Sequence, residues 1–179
     1  MQVLLRFSRF IDAINSKVAL IANWLVLLSC LISAGNALTR YFFNLSSNAW
    51  LEIQWYMFGA LVLLGAPYTL LVNEHVRVDV LYGGLSPRRK LWVDLLGGLF
   101  FLIPMAALIG YLSWPVFVQS YAIGEVSGNA GGLLRWPIKL MLPVGFLLLL
   151  LQGISEVIKR IAALRGQYEV AYKYQKAVQ

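Results

Sequence analysis

One short cluster of side chains in this sequence could support chemistry, and it contains Glu74, His75, Arg77 and Asp79. A histidine between carboxylates suggests a metal site or an acid–base pair. Metal sites usually contain more histidine or cysteine ligands, and His75 is the single histidine of the chain. The two carboxylates would also have to bind a metal in competition with the neighbouring arginines. We therefore expect these four residues to form a local network that fixes a turn.

Two further charges flank a short hairpin. Arg40 follows one long apolar segment, and Glu52, between Trp50 and Trp55, precedes the next. A single charge at the edge of a bilayer is costly, so one interpretation is an ion pair between Arg40 and Glu52. The other is two independently solvated ends within a belt of aromatic side chains, and the sequence leaves both open.

The elements that must position these residues are long uncharged segments. Hydrophobic residues make up 60% of the chain and charged residues 13%, whereas a soluble domain has about 25% charged residues. A transmembrane helix needs ~20 apolar residues. Four uncharged runs approach or exceed that length, and they cover residues 18–39, 53–73, 95–124 and 140–155.

These runs predict an all-α membrane protein with one domain, residues 1–179, and four transmembrane helices. The predicted spans are about 18–39, 50–73, 91–118 and 137–160, and residues 161–179 form a cytoplasmic tail. Residues 2–17 are predicted to form an amphipathic helix that lies at the membrane surface. Its apolar face recurs at helical spacing, with Val3, Phe7, Phe10 and Ile14 on that face.

The distribution of Lys and Arg predicts the orientation. Only three of the fifteen, Arg40, Arg135 and Lys139, lie in the segments that share one side of the membrane. Because Lys and Arg accumulate on the cytoplasmic side, we expect both termini in the cytoplasm. The formal net charge of +7 then reflects topology and contact with anionic membrane lipids, so we do not expect a nucleic-acid partner.

Two features of the spans and loops allow more than one interpretation. In the first span, Ser29, Ser33 and Ala37 recur every four residues, a spacing that lets helices approach closely in lipid. It fits either packing inside the bundle or a seam between subunits. The Gly-rich loop at residues 119–136 follows no strand, so we reject nucleotide binding. It is a flexible connector, a short re-entrant turn or a docking surface for something outside.

The spans contain no ionisable side chain at mid-membrane depth. Transporters that work alone usually place such groups there, and a membrane enzyme would need clustered His, Asp or Glu. We therefore predict an auxiliary subunit rather than an enzyme, with no cofactor in this chain. The alternative is a self-sufficient homo-oligomeric small transporter or channel. A membrane enzyme dependent on His75 is a third, weaker interpretation.

The motifs, taken in order, resemble those of a known family. They are Asn36-x-x-x-Arg40-Tyr41-Phe42-Phe43, Trp50-x-Glu52-x-x-Trp55, Gly65-Ala66 and His75-Val76-Arg77-Val78-Asp79. In order, length and topology the chain resembles the small permease (DctQ-like) subunit of TRAP transporters, the tripartite ATP-independent periplasmic transporters of bacteria and archaea. One departure is Ile53, where members often have a second acid beside the Glu52 position.

The resemblance implies the partners and the location. The small subunit pairs with a large (DctM-like) permease subunit that carries the substrate and sodium sites and moves the solute by an elevator motion. A periplasmic (DctP-like) binding protein delivers an organic acid or related solute. The membrane is then the cytoplasmic membrane of a bacterium or archaeon, which is the inner membrane in a Gram-negative cell. The small subunit extends the immobile scaffold and is not itself catalytic.

We assign hypothetical roles to nine residues. Arg40 and Glu52, with Trp55 beside them, hold the outer hairpin. Glu74, His75, Arg77 and Asp79 fix the inner turn and contact lipid or a partner. Glu125 and Arg135, in the outer loop, contact the docked binding protein.

Overall fold

The computed structural model describes residues 1–45, 47–75 and 82–169, and these residues form four long helices. The helices are α1 (Gln2–Phe43), α2 (Asn48–Leu71), α3 (Pro87–Ala122) and α4 (Trp136–Leu164). Each is long and apolar enough to cross a membrane. Within the described residues the one β-type pairing is an isolated bridge between Val126 and Leu134. The prediction of an all-helical chain with four candidate spans is confirmed.

Helix α4 is the centre of the bundle, because it packs against each of the other three helices. Helices α1 and α2 also pack against each other as an antiparallel hairpin. We call the end that carries the α1–α2 and α3–α4 connections the outer end, following the predicted orientation, and the opposite end the inner end.

Helix α1 runs without interruption through residues 2–43, so the predicted surface segment and first span belong to one helix. Its 42 residues extend for about 63 Å at 1.5 Å per residue, about twice the thickness of a bilayer core. Val3 and Phe10 on the predicted apolar face are 77% and 63% exposed, whereas Ser8 and Ile11 are buried. The location of the first turns at the membrane surface remains a prediction.

Helix α3 contains a π-helical turn over Gly98–Leu102, between α-helical segments Pro87–Gly97 and Ile103–Ala122. The Ile103 N–H donates to the carbonyl of Gly98, which places one extra residue in the turn. Pro104 follows immediately; it lacks an N–H and its ring crowds the preceding turn of a regular α-helix. The wider π turn accommodates that proline within a continuous 36-residue helix.

Helices α2 and α4 are in close contact where a glycine faces a proline-modified turn. Because Pro67 has no N–H, the carbonyl of Leu63 receives no helical hydrogen bond from it. Gly145 of α4 lies directly against this carbonyl: a Cβ at position 145 would be 2.8 Å from the Leu63 oxygen. Small residues permit this kind of close helix contact in membranes. The crossing fixes the height of α2, and therefore of Glu52, relative to α4.

Candidate functional site

Glu52 joins the start of α2 to the outer loop. Its side chain is 4% exposed, and it accepts hydrogen bonds from three groups of that loop. Asn129 Nδ2 donates to Oε1 at 2.7 Å, the Leu133 N–H donates to Oε2 at 2.8 Å, and the Ser127 hydroxyl donates to Oε1. A carboxylate with several donors is well satisfied although it is buried. We call these four residues the outer clamp.

The loop has a defined shape of its own. The Ser127 N–H donates to the Leu133 carbonyl at 2.9 Å, and the Arg135 N–H donates to the Glu125 carbonyl at 2.8 Å. Between them the chain turns so tightly that a Cβ at Gly132 would be 2.5 Å from the Ser127 Cβ. The glycines therefore serve a compact turn folded over Glu52, which the sequence could not distinguish from a flexible connector.

Glu125 and Lys139 form an ion pair at the base of this loop. The hydrogen bond from Lys139 lowers the pKa of the Glu125 carboxyl below its usual value, and the positive charge of Arg135 lowers it further. The Arg135 side chain itself is exposed. Both residues predicted to meet an external protein thus lie at the outer end, next to the outer clamp.

The structure does not bring Arg40 and Glu52 together. The Glu52 carboxylate is occupied by the outer loop, and Arg40 is exposed at the end of α1. Among the residues that the structure describes, no ion pair joins the two. Trp55 is 70% exposed on α2, as expected for an aromatic side chain at a membrane interface.

The predicted inner cluster is described only in part. Glu74 and His75 follow α2 and are both exposed. Arg77 and Asp79 lie outside the described residues. The proposed network around these four residues therefore stays a prediction.

A larger polar network, which the sequence did not predict, lies at the inner end between α1 and α4. Asp12 of α1 accepts from Lys159 Nζ at 2.9 Å, from Ser155 Oγ at 3.0 Å and from Gln152 Nε2 at 3.0 Å. Gln152 also accepts from Asn15 Nδ2 at 2.7 Å. We call the set the inner network, and it consists of Ser8, Asp12, Asn15, Gln152, Ser155, Glu156, Lys159 and Arg160.

The charges of the inner network pair with one another. Lys159 is 6% exposed and lies 2.7 Å from Glu156 Oε1. Arg160 pairs with Glu156 and lies 3.7 Å from Asp94 of α3. Removing one partner from such a buried set leaves the other uncompensated, which is strongly destabilising. The network therefore fixes α1 and α3 to α4.

The sequence contains the polar residues of the inner network but does not show that they meet. Asp12 and Asn15 lie away from the apolar stripe of α1. The same side faces the polar end of α4, where Gln152 and Glu156 recur at helical spacing. Pairing the two polar faces required knowing that α1 and α4 are neighbours, although 147 residues separate Asp12 from Lys159.

A family model described as "Tripartite ATP-independent periplasmic transporters, DctQ component" matches residues 29–163, which is most of the chain. The α1 residues of the inner network precede the matched region. No curated protein and no solved structure matches the chain.

Proposed function

Because the chain belongs to the DctQ family of tripartite ATP-independent periplasmic transporter components, we propose that it is a non-catalytic scaffold for the large permease subunit. It binds and stabilises that subunit while the large subunit carries the solute. The solute is an organic acid or a related compound delivered by a periplasmic binding protein. The coupling ion, sodium, binds to the large subunit, and this chain holds no cofactor.

One observation carries the proposal. Each buried charged side chain that the structure describes is engaged by groups of this same chain, at one end of the bundle or the other. Glu52 is bound by the outer loop, and Glu156, Lys159 and Arg160 bind one another and Asp12 at the inner end. Charges used in this way hold helices in place, whereas a transport site needs polar groups that face a solute.

The outer end supplies a rigid surface for the binding protein. The outer clamp fixes the loop, and Glu125 and Arg135 lie beside it with complementary charges. We propose that these two side chains contact the docked binding protein. At the opposite end, Glu74 and His75 are exposed, and we propose that they contact lipid headgroups or the large subunit. The complex then lies in the cytoplasmic membrane of a bacterium or archaeon.

The test separates a scaffold from a transporter that works alone. The chain is reconstituted into vesicles alone, and sodium entry is followed with a sodium-sensitive dye. In parallel it is co-expressed with a tagged DctM-like large subunit. We expect vesicles with this chain alone to match empty vesicles, and we expect the chain to copurify with the large subunit. Sodium entry without a partner, or the absence of copurification, would contradict the proposal.

A further inference from the structure

A cavity opens between α2, α3 and α4 at the inner end of the bundle, and we call it the inner cavity. Its volume is about 570 Å³, within the range of about 300–1,000 Å³ that is usual for small-molecule sites. Most of its wall consists of aliphatic side chains and glycines, and its polar members are Tyr82, Asp94, Glu156 and Arg160. The inner cavity therefore combines a large apolar wall with a small polar area.

The polar and apolar parts of this wall lie at different depths. Helix α3 runs from the inner end toward the outer end, so Asp94 lies nearer the inner end than Leu102, by eight residues or about 12 Å along the helix. Helix α4 runs the other way, and its lining residue Arg160 is likewise nearer the inner end than Gly153. The cavity is thus polar toward the inner end and apolar toward mid-membrane, which is the polarity of a phospholipid in the inner leaflet.

Glycine at one position leaves the apolar part of the cavity open. Gly97 lines the cavity, and a Cβ at this position would have no atom within 4 Å. In contrast, a Cβ at Gly98 would be 3.2 Å from Val157 Cγ2, and a Cβ at Gly153 would be 3.1 Å from Leu102 Cδ2. Gly98 and Gly153 therefore permit contact between α3 and α4, whereas Gly97 leaves room for a ligand.

Basic side chains lie at the inner mouth of this cavity. Arg89, Val93 and Gly97 recur every four residues along α3, so Arg89 is on the same helix face as two lining residues, one turn nearer the inner end. Lys90 Nζ is 5.3 Å from the centre of the Tyr82 ring, and Tyr82 lines the cavity. Arg89 is exposed and forms no ion pair with any residue that the structure describes.

The charged groups inside the cavity wall, in contrast, pair with one another. The Tyr82 hydroxyl donates to Asp94 at 3.0 Å. Arg160 lies 3.7 Å from Asp94 and pairs with Glu156. A ligand that enters from the inner leaflet therefore meets the positive charge of Arg89 first. Basic pockets between membrane helices on the cytoplasmic side bind anionic lipid headgroups.

We propose that the inner cavity binds one anionic glycerophospholipid of the inner leaflet. One acyl chain lies along Gly97 and Leu102, and the phosphate meets Arg89 and Lys90 at the mouth. The bound lipid joins α3 to α2 and α4. The inference concerns this chain alone and goes beyond the proposed function, so it can fail while the scaffold role stands.

The test counts the lipids that the purified full-length chain retains in native mass spectrometry. Its detergent micelles are titrated with phosphatidylglycerol or with phosphatidylcholine of the same acyl chains, and we expect one phosphatidylglycerol per chain, bound more tightly than phosphatidylcholine. Gly97→Leu should weaken phosphatidylglycerol binding by roughly ten-fold or more, because the new side chain occupies the cavity. Gly35→Leu is the matched control, since a Cβ at Gly35 on α1 also has no atom within 4 Å, and it should leave binding unchanged.

A second pair of variants tests the headgroup. Arg89→Gln should weaken phosphatidylglycerol binding about five-fold, the effect expected for one basic residue near the membrane surface, and should leave phosphatidylcholine binding unchanged. Arg6→Gln is the matched control, since Arg6 is exposed at the inner end of α1 and does not line the cavity. Thermal midpoints of all variants establish that each one folds.

Several outcomes would overturn the inference. Equal binding of phosphatidylglycerol by the wild type and Gly97→Leu would place the lipid elsewhere, and equal affinity for both lipids would remove the role of the anionic headgroup. Full competition by glycerophosphoglycerol, which has the same headgroup but no acyl chains, would show that only the phosphate is bound. Loss of the lipid when the chain assembles with the large subunit or with a second copy would assign the cavity to that protein interface.

Discussion

Replacing Gly145 with alanine tests whether close contact between α2 and α4 holds the bundle together. The new Cβ would be 2.8 Å from the Leu63 oxygen, 2.9 Å from the Leu63 Cβ and 3.1 Å from the Leu63 carbonyl carbon. Carbon atoms in good contact are about 3.5–4.0 Å apart. Two of these three atoms belong to the backbone, so a side-chain rotation cannot relieve the clash and the helices must separate.

The expected effect combines two opposing contributions. Overpacking in a tight interior typically destabilises a protein by about 1–3 kcal/mol, whereas alanine in place of glycine favours a helix by up to ~1 kcal/mol. We expect Gly145→Ala to lower the free energy of unfolding by roughly 1–2 kcal/mol. Gly65→Ala on α2 is the matched control, since no atom lies within 4 Å of a Cβ there, and it should be neutral or slightly stabilising.

The assay is thermal unfolding of each purified variant in the same detergent, followed by tryptophan fluorescence. The midpoint of Gly145→Ala should fall by roughly 2–8 °C, and that of Gly65→Ala should stay level or rise. An unchanged or higher midpoint for Gly145→Ala would show that α2 and α4 do not pack in this way. Equal decreases in both variants would show that glycine flexibility, rather than helix separation, is responsible.

Three further changes test the two ends of the bundle. Glu52→Gln puts an amide donor among the loop donors, so a broad-specificity protease should cut the outer loop of the detergent-solubilised protein faster, as seen by mass spectrometry of the fragments. Asp12→Asn leaves Lys159 with a weaker partner and should lower the thermal midpoint by an amount corresponding to about 1–3 kcal/mol. The hydrogen bond from Lys139 lowers the pKa of Glu125, so the ionised carboxylate stabilises the folded protein. Glu125→Gln should therefore lower the thermal midpoint by a constant amount from pH 8 to pH 5. That difference should disappear only as the pH falls below the ordinary glutamate value of about 4.3 and through the lower folded pKa, because the wild-type carboxylate is then protonated too.

Each control variant changes a chemically similar group that lies outside the contact being tested. Arg40→Gln removes a charge at the same end as Glu52 without touching the outer clamp, so it should leave loop cleavage unchanged; faster cleavage would restore the ion-pair interpretation. Among the described residues, the Ser16 hydroxyl bonds only to the Asp12 backbone carbonyl, so Ser16→Ala should not lower the midpoint. A difference for Glu125→Gln that grows between pH 8 and pH 5 would contradict the assigned direction of the pKa shift.

The hydropathy of the sequence was sufficient to predict the number of long helices. The four uncharged runs predicted four helices because the length needed to cross a bilayer is a local property of the sequence. The order of short motifs indicated the family for a similar reason: each motif is read without knowing what it contacts. The hairpin ends could be located in the same way, and Glu52 could be marked as a residue that requires a partner.

The packing of the helices, rather than the local sequence, decides which partner Glu52 has. The sequence placed Arg40 nearest to Glu52, but the acceptor oxygens are bound by Leu133 and its neighbours, 81 residues further along the chain. Asp12 likewise meets Lys159, 147 residues further along the chain, only because α4 packs beside α1. The type of a charged side chain is enough to show that it requires a partner. Hydrogen bonds act over about 3 Å, however, so only the arrangement of the helices in space determines which partner comes within reach.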